Sequence, residues 1–128
     1  MEANKRKMSR IAGMITAVLT AAPAFAHHSF AMFDNAKSLT LDGTIKEFQW
    51  SNPHCWVQLL VTAPSGEEVE WSLEGTSLNR FARLGWTRTT LKPGDKATVV
   101  IHPLKDGTSG GALVTVTVNG KVIGDAHN

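Results

Sequence analysis

The sequence predicts a small all-β barrel with one short helix, and three features lead to that fold class. Short stretches in which apolar and polar residues alternate recur between residues 39 and 118, as expected for strands that bury one face. One stretch with helical spacing, residues 75–85, falls between the third and the fourth of them. Turn signals rich in Gly, Pro and Asn separate the stretches and therefore mark the strand ends.

The first strand is predicted to be long and bent. In LTLDGTIKEFQW, Leu41 and Ile45 share one parity, whereas Phe48 and Trp50 share the other. This change of parity predicts a bulge between the two pairs, with Gly43 easing the bend. The turn sequence SNPH then ends the strand, and WVQLLVT supplies the second one.

The third strand, EVEWSLE, alternates strictly. Val69, Trp71 and Leu73 are predicted to point into the core, and the intervening glutamates, Glu74 among them, are predicted to face water. A short helix follows in GTSLNRFARLG. Thr76 or Ser77 is its predicted N-cap.

The helix is expected to end at Gly85, with Leu78, Phe81 and Ala82 on one face. The arginines on and after it are predicted to pair with acidic surface groups; they are Arg80, Arg83 and Arg88.

Two further strands complete the predicted barrel. Ala97 to His102 forms the fourth, and Leu113 to Val118 forms the fifth, with Val114 expected on its buried face. The sequence PLKDGTSGG is the loop between them. Asn119-Gly120 is a strong signal for a two-residue hairpin turn, which predicts a short sixth strand at residues 121–123.

Three strands, a short helix and two more strands occur in this order in the OB-fold, a five-stranded Greek-key barrel. The helix closes one end of that barrel, and the bent first strand contributes to both halves. An immunoglobulin-like sandwich needs about seven strands and has no place for the helix. We therefore predict a small five-stranded OB-fold-like barrel with one helix between strands three and four.

The N-terminus has the pattern of a cleaved export signal. A basic segment precedes an apolar stretch too short to span a bilayer, and Ala24-Phe25-Ala26 offers the small residues that cleavage needs. The predicted organisation is a signal peptide at 1–26, an N-terminal arm at 27–38, the barrel at 39–124 and a tail at 125–128. With no second apolar stretch, we expect a periplasmic protein without a membrane anchor.

Charge and cysteine content exclude several classes of function. Removal of residues 1–26 takes away four of the 13 Lys/Arg and one of the 11 Asp/Glu, which leaves nine basic and ten acidic residues. A nucleic-acid-binding protein needs a basic footprint, so no nucleic-acid partner is expected. Cys55 is the single cysteine, so no disulfide can form within the chain.

Several motifs together resemble a known family of small exported proteobacterial proteins, domain of unknown function family 6152. They are HHSFAMFD, GTIKEFQWSNPH, VEWSLEG, LGW and LKPGDKATVVIHPLKDG. The resemblance covers essentially the whole chain after the signal. It implies an exported all-β domain and no particular activity.

Histidines are the main candidates for a metal site. Cleavage after Ala26 would make His27 the first residue, so that its amine and imidazole could chelate one ion. His28 offers a different chelate, and His54 and His102 each flank a proline at a strand end. Nitrogen-rich sites of this kind suit Cu(II), and imidazole also suits zinc. No spacing matches a known metal motif, so the residues by themselves favour polar surface histidines over a metal site.

The two predicted functions are a copper site and a metal-free binding face. In the first, an exported binding protein acts as a copper carrier or buffer through His27, His28, His54 and His102. In the second, an OB-fold module binds a small ligand or an envelope protein through its outward face at Trp56, Gln58 and Trp50. An enzyme is the third choice, because no nucleophile motif, phosphate loop or catalytic constellation is present.

Overall fold

The structure, a computed structural model, describes residues 31–125, and within the last strand it describes side chains only to Ile123. Its elements follow the predicted order. They are β1 (Leu39–Gln49), β2 (Trp56–Thr62), β3 (Glu68–Glu74), α1 (Leu78–Arg83), β4 (Lys96–Pro103), β5 (Gly110–Val118) and β6 (Lys121–Asp125).

The first five strands form a closed barrel. Antiparallel pairing gives the strand order β3-β2-β1-β4-β5, and β3 pairs with β5 in parallel to close the ring. The closing contact is short and involves only Ser72–Glu74 and Gly110–Ala112. This topology confirms the predicted five-stranded OB-fold-like barrel with its helix between β3 and β4. β6 lies beside β5 and extends the sheet beyond the barrel.

β1 serves both halves of the barrel, as predicted. Its first half pairs with β4 and its second half with β2, and the register shifts between Ile45 and Glu47. The predicted bulge is therefore present. Gly43 is needed where the halves meet, because a Cβ there would collide with the carbonyl oxygen of Leu60.

β5 differs from its predicted form. It begins at Gly110, inside the stretch expected to be loop, because Gly110 and Gly111 make the parallel contact with β3. Leu113 is buried and Val114 is only partly buried, the reverse of the prediction at these two positions, whereas Val116 and Val118 are buried as predicted. A register shift between Val100 and Ile101 explains the reversal, since an extra residue on β5 changes which side chains face inward.

An aromatic cluster fills the end of the barrel below α1. Ser77 is the N-cap and accepts from the amide of Arg80. Phe81 is fully buried, and its ring stacks on Trp86 with 4.4 Å between centroids. Phe48 and Trp50 also pack against the Phe81 ring.

Two predicted burial assignments differ from this arrangement. Trp71 packs against the core but is only partly buried, and Ala82, expected on the buried face of α1, is exposed. The central indole of the core is Trp86, with 3% exposure. Trp86 takes this place because its Nε1 donates to the carbonyl of Ile123 and so fixes the ring between Phe81 and β6.

The described part of the N-terminal arm lies along the loop between β4 and β5. Phe33 is buried and forms an isolated bridge with Leu104. The amide of Lys105 donates to the carbonyl of Met32. The predicted signal peptide, His27, His28 and the tail residues 126–128 lie outside the described residues. Over residues 31–125, no helix has the length and apolar character needed to cross a membrane.

Candidate functional site

A row of residues in register crosses one face of the barrel, and Ala112 is the buried member of that row. Trp56 of β2 is in register with Glu74 of β3, Glu74 with Ala112 of β5, and Ala112 with His102 of β4. Residues in register on neighbouring strands project to the same side of a sheet. The row therefore runs from His102 to the face of β2 and β3, the face that OB-folds use for ligands.

Of the three histidine or lysine contacts to carboxylates in the described residues, the one between His54 and Glu74 is the least exposed. The Nδ1 atom of His54 lies within ion-pair distance of Oε1 of Glu74. The Glu74 side chain is only 10% exposed, and the His54 side chain is 30% exposed. A carboxylate is costly to bury without a partner, so the imidazole is what makes this position tolerable for Glu74.

The loop that carries His54 is tied to its neighbours by backbone bonds. The Cys55 amide donates to the carbonyl of Thr76, and the amide of Gly75 donates to the carbonyl of Cys55. The Ser51 hydroxyl donates to the carbonyl of His54. These bonds hold the loop against the end of β3. The backbone thereby positions His54 beside Glu74.

His102 occupies the other end of the row. Its Nδ1 lies 2.7 Å from the carbonyl oxygen of Lys37 in the N-terminal arm. The arm therefore runs beside His102 before β1 begins. Two strand spacings, roughly 10 Å, separate the backbone positions of Glu74 and His102.

No complete metal site exists within the described residues. Over residues 31–125, no three His, Cys, Asp or Glu side chains come together in a group able to hold an ion. His54 and His102 belong to no such group, and the other two predicted metal ligands, His27 and His28, lie outside the described residues.

The three predicted ligand-binding residues take different places. Trp56 is partly buried and outward, at the start of β2. Gln58 is on the same face, and its side-chain amide lies 3.4 Å from that of Gln49. Trp50 instead packs against the core, with its ring 6.4 Å from Phe81.

Cys55 is part of the core and not of the candidate site. Its thiol is fully buried, as the sequence predicted. Burial raises the pKa of the Cys55 thiol, and a weak contact with the carbonyl of Ser51 opposes that effect. The thiolate that metal binding or nucleophilic attack requires is therefore disfavoured.

An open groove of about 630 Å³ lies over β1 and β4, and none of the candidate histidines lines it. Two of its three charged residues, Asp42 and Lys96, have hydroxyl partners, and the third is Glu68. Thr98 donates to Asp42 across 2.5 Å, and Lys96 donates to Thr44 across 2.7 Å.

A family model covers the barrel and the site together. Its match extends over residues 15–122 and so includes β1 to β5, α1 and the beginning of β6. The chain belongs to the family of unknown function DUF6152. Comparison with curated proteins and with solved structures found no match. The DUF6152 match agrees with the predicted resemblance and assigns no activity.

Glu74 is the residue that sequence reasoning missed. Strict alternation grouped it with Glu68 and Glu70 as a solvated stripe. Those two are exposed, and Glu70 pairs with Lys46, but Glu74 is almost covered. Its position as the last residue of β3, directly before a glycine, is the one signal that set it apart. The partner that covers it comes from a loop about 20 residues earlier in the chain.

Proposed function

We propose that the protein is an exported periplasmic binding protein that takes up one Cu(II) ion, with His54 as the ligand contributed by the barrel. The observation that supports this best is the contact between His54 Nδ1 and Glu74. Histidines that ligate metals characteristically donate the other ring N–H to a carboxylate, which sets the tautomer and the ring orientation. Glu74 is placed to do this for His54.

The chemistry of the pair favours a ligand at Nε2. If Nδ1 carries the proton that Glu74 accepts, the lone pair of a neutral ring is on Nε2. Among the described residues, Nε2 of His54 has no hydrogen-bond partner. The ring is 30% exposed, so an ion can approach it from solvent.

The remaining ligands are assigned to the N-terminal arm on chemical grounds. A mature chain beginning at His27 offers an amine and an imidazole on one residue, and His28 offers a second imidazole. His27 is five residues before Met32, so it can lie at most about 18 Å from it. The carbonyl of Met32 accepts from the amide of Lys105 in the loop that follows His102. This contact supports the proposal, because a chain that begins at His27 would start within about 18 Å of that loop.

A competition titration tests this proposal. Protein processed to His27 should bind one Cu(II) more tightly than a matched protein with one Gly added before His27, because the added residue converts the amine into an amide. His54→Ala should weaken binding further, and His127→Ala is the control for loss of a histidine without loss of a ligand. Equal affinities of processed and Gly-extended protein would eliminate the amine as a ligand. An unchanged affinity in His54→Ala would eliminate the barrel ligand.

The second candidate function is a metal-free module that binds a small ligand through the Trp56 face. It is favoured by the register that places the half-buried indole of Trp56 beside Glu74 on the outer face of β2 and β3. An indole in that position can stack on a flat ligand. If neither processed nor extended protein competes for copper, this module becomes the better account. A comparison of ligand binding by Trp56→Ala and by Trp71→Ala then tests whether the Trp56 face binds the ligand.

A further inference from the structure

The charged residues of the barrel are segregated. Residues 75–94, which contain α1 and the loop after it, include four basic residues and no acidic residue. The rest of the described chain, residues 31–74 and 95–125, includes five basic and ten acidic residues. The basic residues of the first segment are Arg80, Arg83, Arg88 and Lys92.

In the part of the chain that the structure describes, the arginines of this segment have no acidic partner, contrary to the pairing predicted from the sequence. Within residues 31–125, the ion pairs are Lys37–Asp34, Lys46–Glu70 and His54–Glu74. No described carboxylate pairs with Arg80, Arg83 or Arg88. Arg83 and Arg88 are exposed, so their charge is directed to solvent and available to an anionic surface.

Exposed apolar side chains accompany these arginines. Leu84, directly after α1, is 47% exposed, and Val122 of β6 is 65% exposed. The indole of Trp86 donates to the carbonyl of Ile123, so the loop after α1 and β6 are in contact at this end of the barrel. The basic segment and both apolar residues therefore belong to one end of the molecule, which we name the α1 end.

We infer that the α1 end docks on an anionic phospholipid surface, with Arg83 and Arg88 at the headgroups and Leu84 at the level of the acyl boundary. Basic residues beside exposed apolar ones are the combination that peripheral membrane proteins use, since electrostatic attraction and apolar burial add. The acidic remainder of the barrel would be repelled by the same surface, which gives the docked domain one orientation. The inference is independent of the copper proposal, because neither His54 nor Glu74 takes part.

Vesicle co-sedimentation tests the docking. Vesicles of phosphatidylcholine are compared with vesicles that also contain phosphatidylglycerol, at low and at high salt. We expect binding to the anionic vesicles alone, lost at high salt as screening increases. The double variant Arg83→Gln/Arg88→Gln should weaken that binding roughly 25-fold, at about fivefold per arginine.

Matched variants distinguish the effect of where a positive charge lies from the effect of the total charge. Lys37→Gln/Lys105→Gln removes the same charge elsewhere and should change binding less than about twofold. Leu84→Ser should weaken binding, whereas Leu39→Ser, at another exposed leucine, should not. All variants share one N-terminus, so residues 1–26, if retained, contribute equally to each. Circular dichroism confirms that every variant is folded.

Three results would overturn the inference. One is equal binding to neutral and anionic vesicles, and another is an equal loss in the two double variants. The third is the absence of vesicle binding together with capture by heparin, which would assign the α1 end to a soluble polyanion instead of a membrane.

Discussion

At the scale of single residues, Glu74 has the largest influence on how the candidate site can work. Its carboxylate is nearly covered and contacts His54, which is itself only partly exposed. Cys55, next to His54 in the chain, points into the core instead. Neighbouring residues on this extended segment therefore have opposite roles, one in the site and one in the core, because successive side chains of an extended chain project to opposite faces.

Glu74→Gln should disturb the tautomer of His54 and, with it, copper binding. A carboxylate can only accept from Nδ1, whereas an amide can donate to it as well, so the preference for a proton on Nδ1 is lost. We expect metal affinity to fall by about 10- to 100-fold. Long-range ¹⁵N–¹H spectra of the metal-free protein report the tautomer, and a competition titration reports the affinity.

Glu70→Gln is the matched control for that change, since Glu70 is exposed on the same strand and pairs with Lys46. An unaltered tautomer and affinity in Glu74→Gln would contradict the positioning role.

Cys55 should make the free energy of unfolding depend on pH in alkaline solution. Burial raises the pKa of this thiol above its ordinary value of 9.0. Its stabilising contribution is therefore complete below pH 9.0 and is lost as pH rises through the higher pKa of the folded state, because the unfolded chain ionises first. Urea denaturation between pH 7 and pH 10 should show a steeper decline for the native chain than for Cys55→Ala. Parallel slopes would show that the thiol does not contribute.

At the scale of elements, α1 and the loop after it have two functions in the fold. Their inner side closes the barrel through Phe81 and Trp86. Their outer side carries Arg83, Leu84 and Arg88 to the surface. A helix of six residues is not stable alone, so it depends on its cap and on the aromatic contacts.

Trp86→Ala should destabilise the protein more than Trp71→Ala. Trp86 is 3% exposed and stacked on Phe81, so its truncation should cost about 3–5 kcal/mol of unfolding free energy. Trp71 is only partly buried, and we expect roughly 1–2 kcal/mol. Urea denaturation of both variants measures the difference. Equal losses would contradict the central place of Trp86.

Ser77→Ala should weaken the start of α1. The Ser77 hydroxyl accepts from the amide of Arg80, and loss of an N-cap of this kind costs about 1 kcal/mol. Thr76→Ala is the control, because α1 begins after Ser77 and the Thr76 hydroxyl does not cap it. A thermal midpoint that falls equally in both variants would contradict the assignment of the cap.

At the scale of the whole molecule, closure of the barrel depends on a short parallel contact between β3 and β5. Gly110 and Gly111 allow it, since both are buried where the strands approach. A Cβ at Gly111 would lie 2.6 Å from the carbonyl oxygen of His102. The contact that closes the barrel and the row across the candidate site share Ala112, the residue directly after Gly111.

Gly111→Ala should destabilise the barrel and also disturb the part of β4 that carries His102. The backbone of β4 must shift to admit the methyl group, and overpacking of this kind costs about 1–3 kcal/mol. Ser109→Ala, in the loop just before β5, is the control. Denaturation measures stability, and amide exchange at Ser72–Glu74 should accelerate if closure is weakened. Unchanged exchange at those residues would show that closure tolerates the methyl group.

The amino-acid sequence by itself determined the local elements of this protein. The bulge after Ile45, a helix cap at Thr76 or Ser77 and the hairpin at Asn119-Gly120 were all predictable, because each depends on residues adjacent in the chain. Only the tertiary structure decided that Glu74 is covered, that Trp86 is the central indole and that β3 closes on β5. Each of these depends on a partner from a distant part of the chain. Periodicity shows which face of a strand a residue occupies, but it does not show what the fold brings against that face.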